Sequence, residues 1–124
     1  MDLYCRKCRQ KLTNETLSQI APAEVRYVDG EEAIPAGGVL SADEFDVVFG
    51  VKVTHIVHTR SLRLVDHNDA ALHRGCCGPG RLDCYNQVCA DCGEPIGLLF
   101  ADCWAMHFTA INAQWLRMSD SGWY

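Results

Sequence analysis

The sequence predicts a mainly β, single small domain with short helical turns, and three observations carry that reading. The chain has 124 residues, a length suited to one domain with a core of its own. Its strongest patterned stretch, Phe45–Val65, alternates its side chains with period two and is rich in β-branched residues, as a half-buried strand requires. Two Cys-x-x-Cys units stand near opposite ends, Cys5–Cys8 and Cys89–Cys92. The chain between them must form most of the domain.

Taken in order, LYCRKCRQKL reads as strand, knuckle turn and strand. Asn14 is a candidate cap for a short helical turn, and Pro22 should end anything regular after it. Val25–Val28 is a strand candidate. Residues 29–44 are rich in Gly, Pro and acid and read as a long mobile surface loop, with a binding loop as the alternative. Within Phe45–Val65, Val51, Val53, His55, Val57 and Thr59 share one face, and Lys52, Thr54, Ile56, His58 and Arg60 the other. Gly50 is placed to bulge or bend the run, and Leu62–Val65 to form a further strand. Asp66–Arg74 reads as a capped turn of helix, and Gly75, Gly78, Pro79 and Gly80 as a loop. Strands are expected within Val88–Cys103 and at His107–Asn112. The tail should add a short helix and a mobile end over 117–124.

Composition narrows the function classes. A formal charge of −5 with no basic run argues against binding nucleic acid, which needs Lys and Arg on phosphates. It favours a partner with a basic surface. Arg6, Lys7, Arg9 and Lys11 surround the first cysteine pair and are better read as charge balance or solvated side chains. No apolar run approaches the ~20 residues that span a bilayer, and the start lacks an apolar signal core. A cytoplasmic, reducing setting is the expectation, where eight cysteines point to metal or catalysis rather than to disulfides.

Two residues between cysteines let a tight turn aim both sulfurs at one point. Gly93 suits the positive backbone angle such a turn needs. Cys5, Cys8, Cys89 and Cys92 together supply the tetrahedral shell of one structural zinc ion, closed to water and substrate, so that metal binding becomes folding energy. A redox Cys-x-x-Cys wants a helix after it; Pro95 and IGLLF read instead as a strand.

YCRKC at the start and Val88–Phe100, with CADCGEPIGLLF, resemble the zinc knuckles of β-tent proteins. That group includes the methionine-R-sulfoxide reductase B enzymes, Yippee-like proteins, the thalidomide-binding domain of cereblon and the regulatory domain of cytosolic RNA sensors. The resemblance implies two small antiparallel sheets leaning together with zinc near their apex. The chain departs from the individual members. HFTAIN lies where the reductases carry their nucleophilic cysteine and has none. Leu98 stands where the cereblon-type domains place a cage tryptophan. The basic face of the RNA sensors is missing.

Cys76, Cys77, Cys84 and Cys103 remain. They could be buried small residues, build a second zinc site with His73 or His107, or include a reactive thiol near Arg74 or Arg81. A Cys77–His107 nucleophilic pair stays open. GCCGPG lacks the Lys-Ser/Thr of a phosphate loop. His55 reads as a core histidine, and His58, His67 and His73 as exposed. Trp104 reads as core, with Trp115 and Trp123 as candidate contacts. The leading functional expectation is a non-catalytic zinc-stabilised binding module for a protein or small-molecule ligand, through the acidic loop and the C-terminal aromatics. The alternative is a thiol-dependent oxidoreductase of the methionine sulfoxide reductase type, using Cys76, Cys77, Cys84 or Cys103.

Overall fold

The computed structural model describes residues 1–119; Trp123 and the last residues of the expected mobile tail lie outside them. The domain is mainly β, with nine short strands, 3-10 turns and no α-helix among the described residues. β1 (Leu3–Cys5) pairs antiparallel with β9 (Leu116–Met118) in a two-stranded sheet. The second sheet has seven strands: β2 (Ser18–Gln19), β3 (Gly38–Ser41), β4 (His55–Val57), β5 (Leu64–Asp66), β6 (Gln87–Cys89), β7 (Pro95–Phe100) and β8 (Phe108–Ile111). Their spatial order is β2-β3-β4-β8-β7-β6-β5. Two sheets are as expected, but β2 and β3 run parallel. No helix among the described residues is long and apolar enough to cross a membrane.

The inner strands of the large sheet, β3, β4, β8 and β7, are buried on both faces, which explains why they are so apolar. Val39, Val57 and Ile111 point into a core shared with Leu3, Leu12, Leu17, Leu116, Met118 and the cysteines Cys5 and Cys89. Their sequence neighbours Leu40, Ile56 and Ala110 point the other way, toward Phe45, Leu98, Phe100 and Phe108. The register keeps each set together: Val39 faces Val57, Leu40 faces Ile56, and Ile56 faces Ala110. Gly97 sits opposite Ile111, where an added Cβ would lie 3.2 Å from both the Ala110 carbonyl oxygen and Leu64. A side chain there would be tight against both, and glycine leaves the strand room to pass.

Several elements differ from expectation for identifiable reasons. The long alternating run yields only β4 and the nearby β5. Val47, Phe49, Val51 and Val53 pack against the Phe100–Phe108 core as irregular chain. Gly50 donates its N–H to the Leu82 carbonyl, so this stretch finds partners outside a ladder. The segment expected as a mobile loop contains β3 and a 3-10 turn (Ala42–Glu44). Ala33 and Ile34 are fully buried, and Glu32 accepts from the Thr59 N–H at 3.0 Å and hydroxyl at 2.7 Å. Asn14 caps no helix; its amide donates to the Arg60 carbonyl oxygen at 2.8 Å. Pro22 opens a 3-10 turn (Pro22–Glu24) rather than ending one. Val25–Val28 is not a strand. In the expected capped turn, Asp69 accepts from Ala71 N–H at the head of a 3-10 turn (Ala70–His73). The tail supplies a 3-10 turn (Ala113–Trp115) and then β9.

Phe108 is the hub of the far core. Its ring stacks on Phe100 at 5.5 Å between centroids and meets Phe45 edge-on at 5.0 Å. Phe108→Ala is expected to cost about 3–5 kcal/mol in urea denaturation, against no more than ~0.5 kcal/mol for Val48→Ala, whose side chain is 90% exposed. His55 lies half-buried on β4, its Nδ1 2.9 Å from the Thr54 hydroxyl, and burial pushes its pKa down to about 4. The unfolded chain binds a proton near pH 6.5, so His55 should lower stability progressively as pH falls from about 6.5 to about 4. NMR titration of its ring protons should give the depressed value, and His55→Phe should flatten that part of the pH–stability curve.

Candidate metal centre

The first knuckle links β1 to the chain that runs back past it; the second links β6 to β7. Their backbones repeat one pattern. Cys5 N–H donates to the Gln10 carbonyl and Arg9 N–H to that of Cys5; Cys89 N–H donates to Glu94 and Gly93 N–H to Cys89, all at 2.8–2.9 Å. The residue after each second cysteine is left-handed: Arg9 at φ 65° and Gly93 at φ 76°. Sequence reasoning found this requirement at Gly93 and missed it at Arg9, where no glycine marks it.

The four sequence-predicted cysteines come together. Their sulfurs all lie within 4.8 Å of one another. Cys5 Sγ is 3.7 Å from Cys92 Sγ, and Cys8 Sγ 3.7 Å from Cys89 Sγ. A tetrahedron of sulfurs ~2.3 Å from a central ion has edges of ~3.8 Å, so this group could hold a metal. All four are free thiols. Cys5 and Cys89 are buried in the near core, with Cys8 and Cys92 partly buried beside them. Burial, reinforced by the neighbouring sulfurs, pushes Cys92 up to about 12, and burial also raises Cys89. Cys8 goes the other way, lowered chiefly by the backbone N–H of Gln10. Crowded thiols resist charging until a cation compensates them.

The surroundings tie the two knuckles together. Lys7 of the first pairs with Glu94 of the second at 3.1 Å. Arg63 donates to the Lys11 carbonyl at 2.8 Å and pairs with Asp91 at 3.2 Å. Arg6 and Lys11 are also engaged, with the Leu116 carbonyl at 3.4 Å and Asp2 at 3.8 Å. The basic residues here therefore serve local structure.

The remaining candidates divide. Cys76, Cys77 and Cys103 gather with Asp102 in a second group, which could also hold a metal. Crowding by the Cys77 thiol, first by hydrogen bonding, raises Cys103 to about 12 and also raises Cys76. Cys84 lies apart, its thiol directed at the Leu72 carbonyl at 3.6 Å. His107 Nε2 is 3.1 Å from the Asp102 carbonyl oxygen and His73 Nε2 2.8 Å from that of His67, so neither histidine belongs to the group. His58, His67 and His73 are half-buried rather than exposed, and His58 lies 3.7 Å from Glu32. Trp104 is not core but 57% exposed, and its indole N–H donates to Asp102 at 2.9 Å. Trp115 is the reverse: half-buried, it packs on the near core. No signal in the sequence marked Asp102, since a lone carboxylate looks like any other.

On the far side, Val47, Leu82, Phe100, Trp104, Met106 and Phe108 line a cavity of about 240 Å³. No family model, curated protein or solved structure matches the chain.

The left-handed residues give a local test. An added Cβ at Gly93 meets nothing within 4 Å, so Gly93→Ala should cost about 1 kcal/mol, the backbone strain less the smaller freedom lost by an alanine on folding. Arg9→Gly should have the opposite sign and stabilise by up to about 1 kcal/mol, because relief of the same strain exceeds the greater freedom of an unfolded glycine. Thermal or urea unfolding of both variants checks the contrast.

Proposed function

We propose that the chain is a non-catalytic binding module whose β scaffold is held by one structural zinc ion on Cys5, Cys8, Cys89 and Cys92. The supporting observation is the convergence of these four sulfurs from chain positions 81 and 87 residues apart. Four thiolates complete a zinc shell and leave no position for substrate. The kinship we propose with the β-tent group rests on the two knuckle sequences, YCRKC and CADCGEPIGLLF. Eight free thiols support a reducing, cytoplasmic setting.

The cavity beside Trp104 is the place best suited to a partner. Its volume is below the ~300 Å³ of small-molecule sites, so it suits a small fragment or one apolar side chain. Asp29, Asp43 and Glu44 remain exposed on the neighbouring acidic stretch, which fits a partner with a basic surface. The oxidoreductase reading has less support. β8 carries no cysteine, and among the candidate thiols the neighbouring Cys77 raises Cys103 to about 12 and raises Cys76, while burial raises Cys84.

Native mass spectrometry of the reduced protein should show zinc that survives mild chelation, and Cys89→Ser should lose that zinc together with cooperative thermal unfolding. A folded, reduced, metal-free protein would defeat the zinc reading. For the binding role, small aromatic fragments titrated into labelled protein should shift the Trp104 and Met106 resonances first. Shifts confined to other residues would place the binding surface elsewhere.

A further inference from the structure

The thiols left over by the knuckles converge a second time, by a different construction. Cys76 and Cys77 come from a glycine-rich loop, and Cys103 from the turn after β7. Asp102 lies beneath them, 1% exposed. Its Oδ2 accepts the N–H of Cys76 and the indole N–H of Trp104, each at 2.9 Å. Its Oδ1 accepts the N–H groups of Cys77 and Cys103, at 3.0 and 2.8 Å. Four donors fill the four lone-pair directions of a carboxylate, so Asp102 has none left for a metal. It instead fixes the backbone of all three cysteines around one point.

The glycines make that wrap possible. An added Cβ on Gly75 or Gly80 would come within 2.6 or 2.7 Å of Asp102 Oδ2, so any side chain there would push the loop off the carboxylate. A buried anion that pins a loop needs no thiols. Yet all three residues following this plan are cysteines, all are exposed, and none is in a disulfide. Buried filler would point inward, and a simple disulfide would use two and leave the third idle. Cys77 Sγ lies 2.7 Å from Cys103 Sγ; seating an ion between them requires opening that gap toward the ~3.8 Å of a tetrahedral edge. Exposed side chains make that change by rotation about χ1.

We propose that Cys76, Cys77 and Cys103 form a second metal site, separate from the knuckles. It takes a thiophilic divalent cation of the zinc class on three thiolates and leaves a fourth position for water or an exogenous ligand. Each thiol gives its proton to solvent as its metal–sulfur bond forms, so three thiolates and one dication leave a single negative charge. Asp102 is the positioning residue. Three protein ligands with one open position are the pattern of an exchangeable or reactive zinc, in contrast to the closed four-sulfur shell.

The test uses the full reduced chain under anaerobic conditions, with zinc and cobalt(II) as probes. Wild type should bind two ions, one removed readily by chelator. Cys76→Ser, Cys77→Ser and Cys103→Ser should each lose that ion and keep the other. Added imidazole should change the visible cobalt bands of the labile site alone. Asp102→Asn should weaken that site roughly 10–100-fold, yet at saturating cobalt restore the same thiolate charge-transfer bands, which a merely collapsed loop would not. Alkylation of wild type with and without zinc keeps the test independent of any variant's folding. Zinc should protect Cys76, Cys77 and Cys103. Free alkylation of these three in zinc-loaded protein, a Cys77–Cys103 disulfide that persists under the same reducing conditions, or cobalt bands indifferent to imidazole would overturn the proposal.

Discussion

The meeting of Cys5 and Cys8 with Cys89 and Cys92 is the constraint on which the rest of this fold depends. Closing a chain loop of more than eighty residues costs about 4 kcal/mol beyond a constant term. The nine strands that lie within or beside that loop have two to six residues each, too short to be stable alone. A metal ion on the four sulfurs would pin the two ends at one place and turn a set of marginal ladders into a cooperative unit. The same pin would set the position of β1 against β9, and thereby close the near core over Leu3, Leu12, Leu116 and Met118.

The large sheet transmits that constraint across the domain. Adjacent residues on β3, β4 and β8 point to opposite cores, one containing the knuckle cysteines and the other the Phe45–Phe100–Phe108 cluster. Packing at one face therefore fixes the register that the other face requires. The far core supports both Trp104, whose ring meets Phe100 edge-on at 5.1 Å, and the turn that carries Asp102 and Cys103. The two cysteine groups are thus built on one frame but by opposite means. The knuckles use repeated backbone turns that aim pairs of thiols inward. The second group uses a buried carboxylate to gather three backbone amides and leaves the thiols outside.

Local rules read well where a residue's role was settled by its neighbours in sequence. Cys-x-x-Cys spacing, Gly93, the strands β7 and β8, and the capped turn at Asp69 were legible for that reason. Arg9 was not, because it adopts the same left-handed turn as Gly93 without the residue type that signals it. The alternation in Phe45–Val65 marked chain that packs inward but misassigned its faces: Val51 and Val53 pack in the far core with Ile56, while Val57 points into the near core. It could not report whether a hydrogen-bonding partner would be present, and for most of that run none is in a ladder.

By itself, then, the sequence determined the β character of the domain, the number of thiols at each knuckle and which four cysteines meet. The first two follow from local spacing and side-chain chemistry; the third was legible because two Cys-x-x-Cys turns supply the four ligands of one tetrahedral site, although the pairs lie 81 and 87 residues apart. Only the tertiary structure decided that residues 29–44 are stitched into the sheet, that Trp104 is exposed and Trp115 packed, and that Asp102 organises Cys76, Cys77 and Cys103. Each of these rests on a hydrogen bond or packing contact between distant segments. A carboxylate becomes an organising centre only when folding removes it from water and leaves backbone amides as its remaining partners.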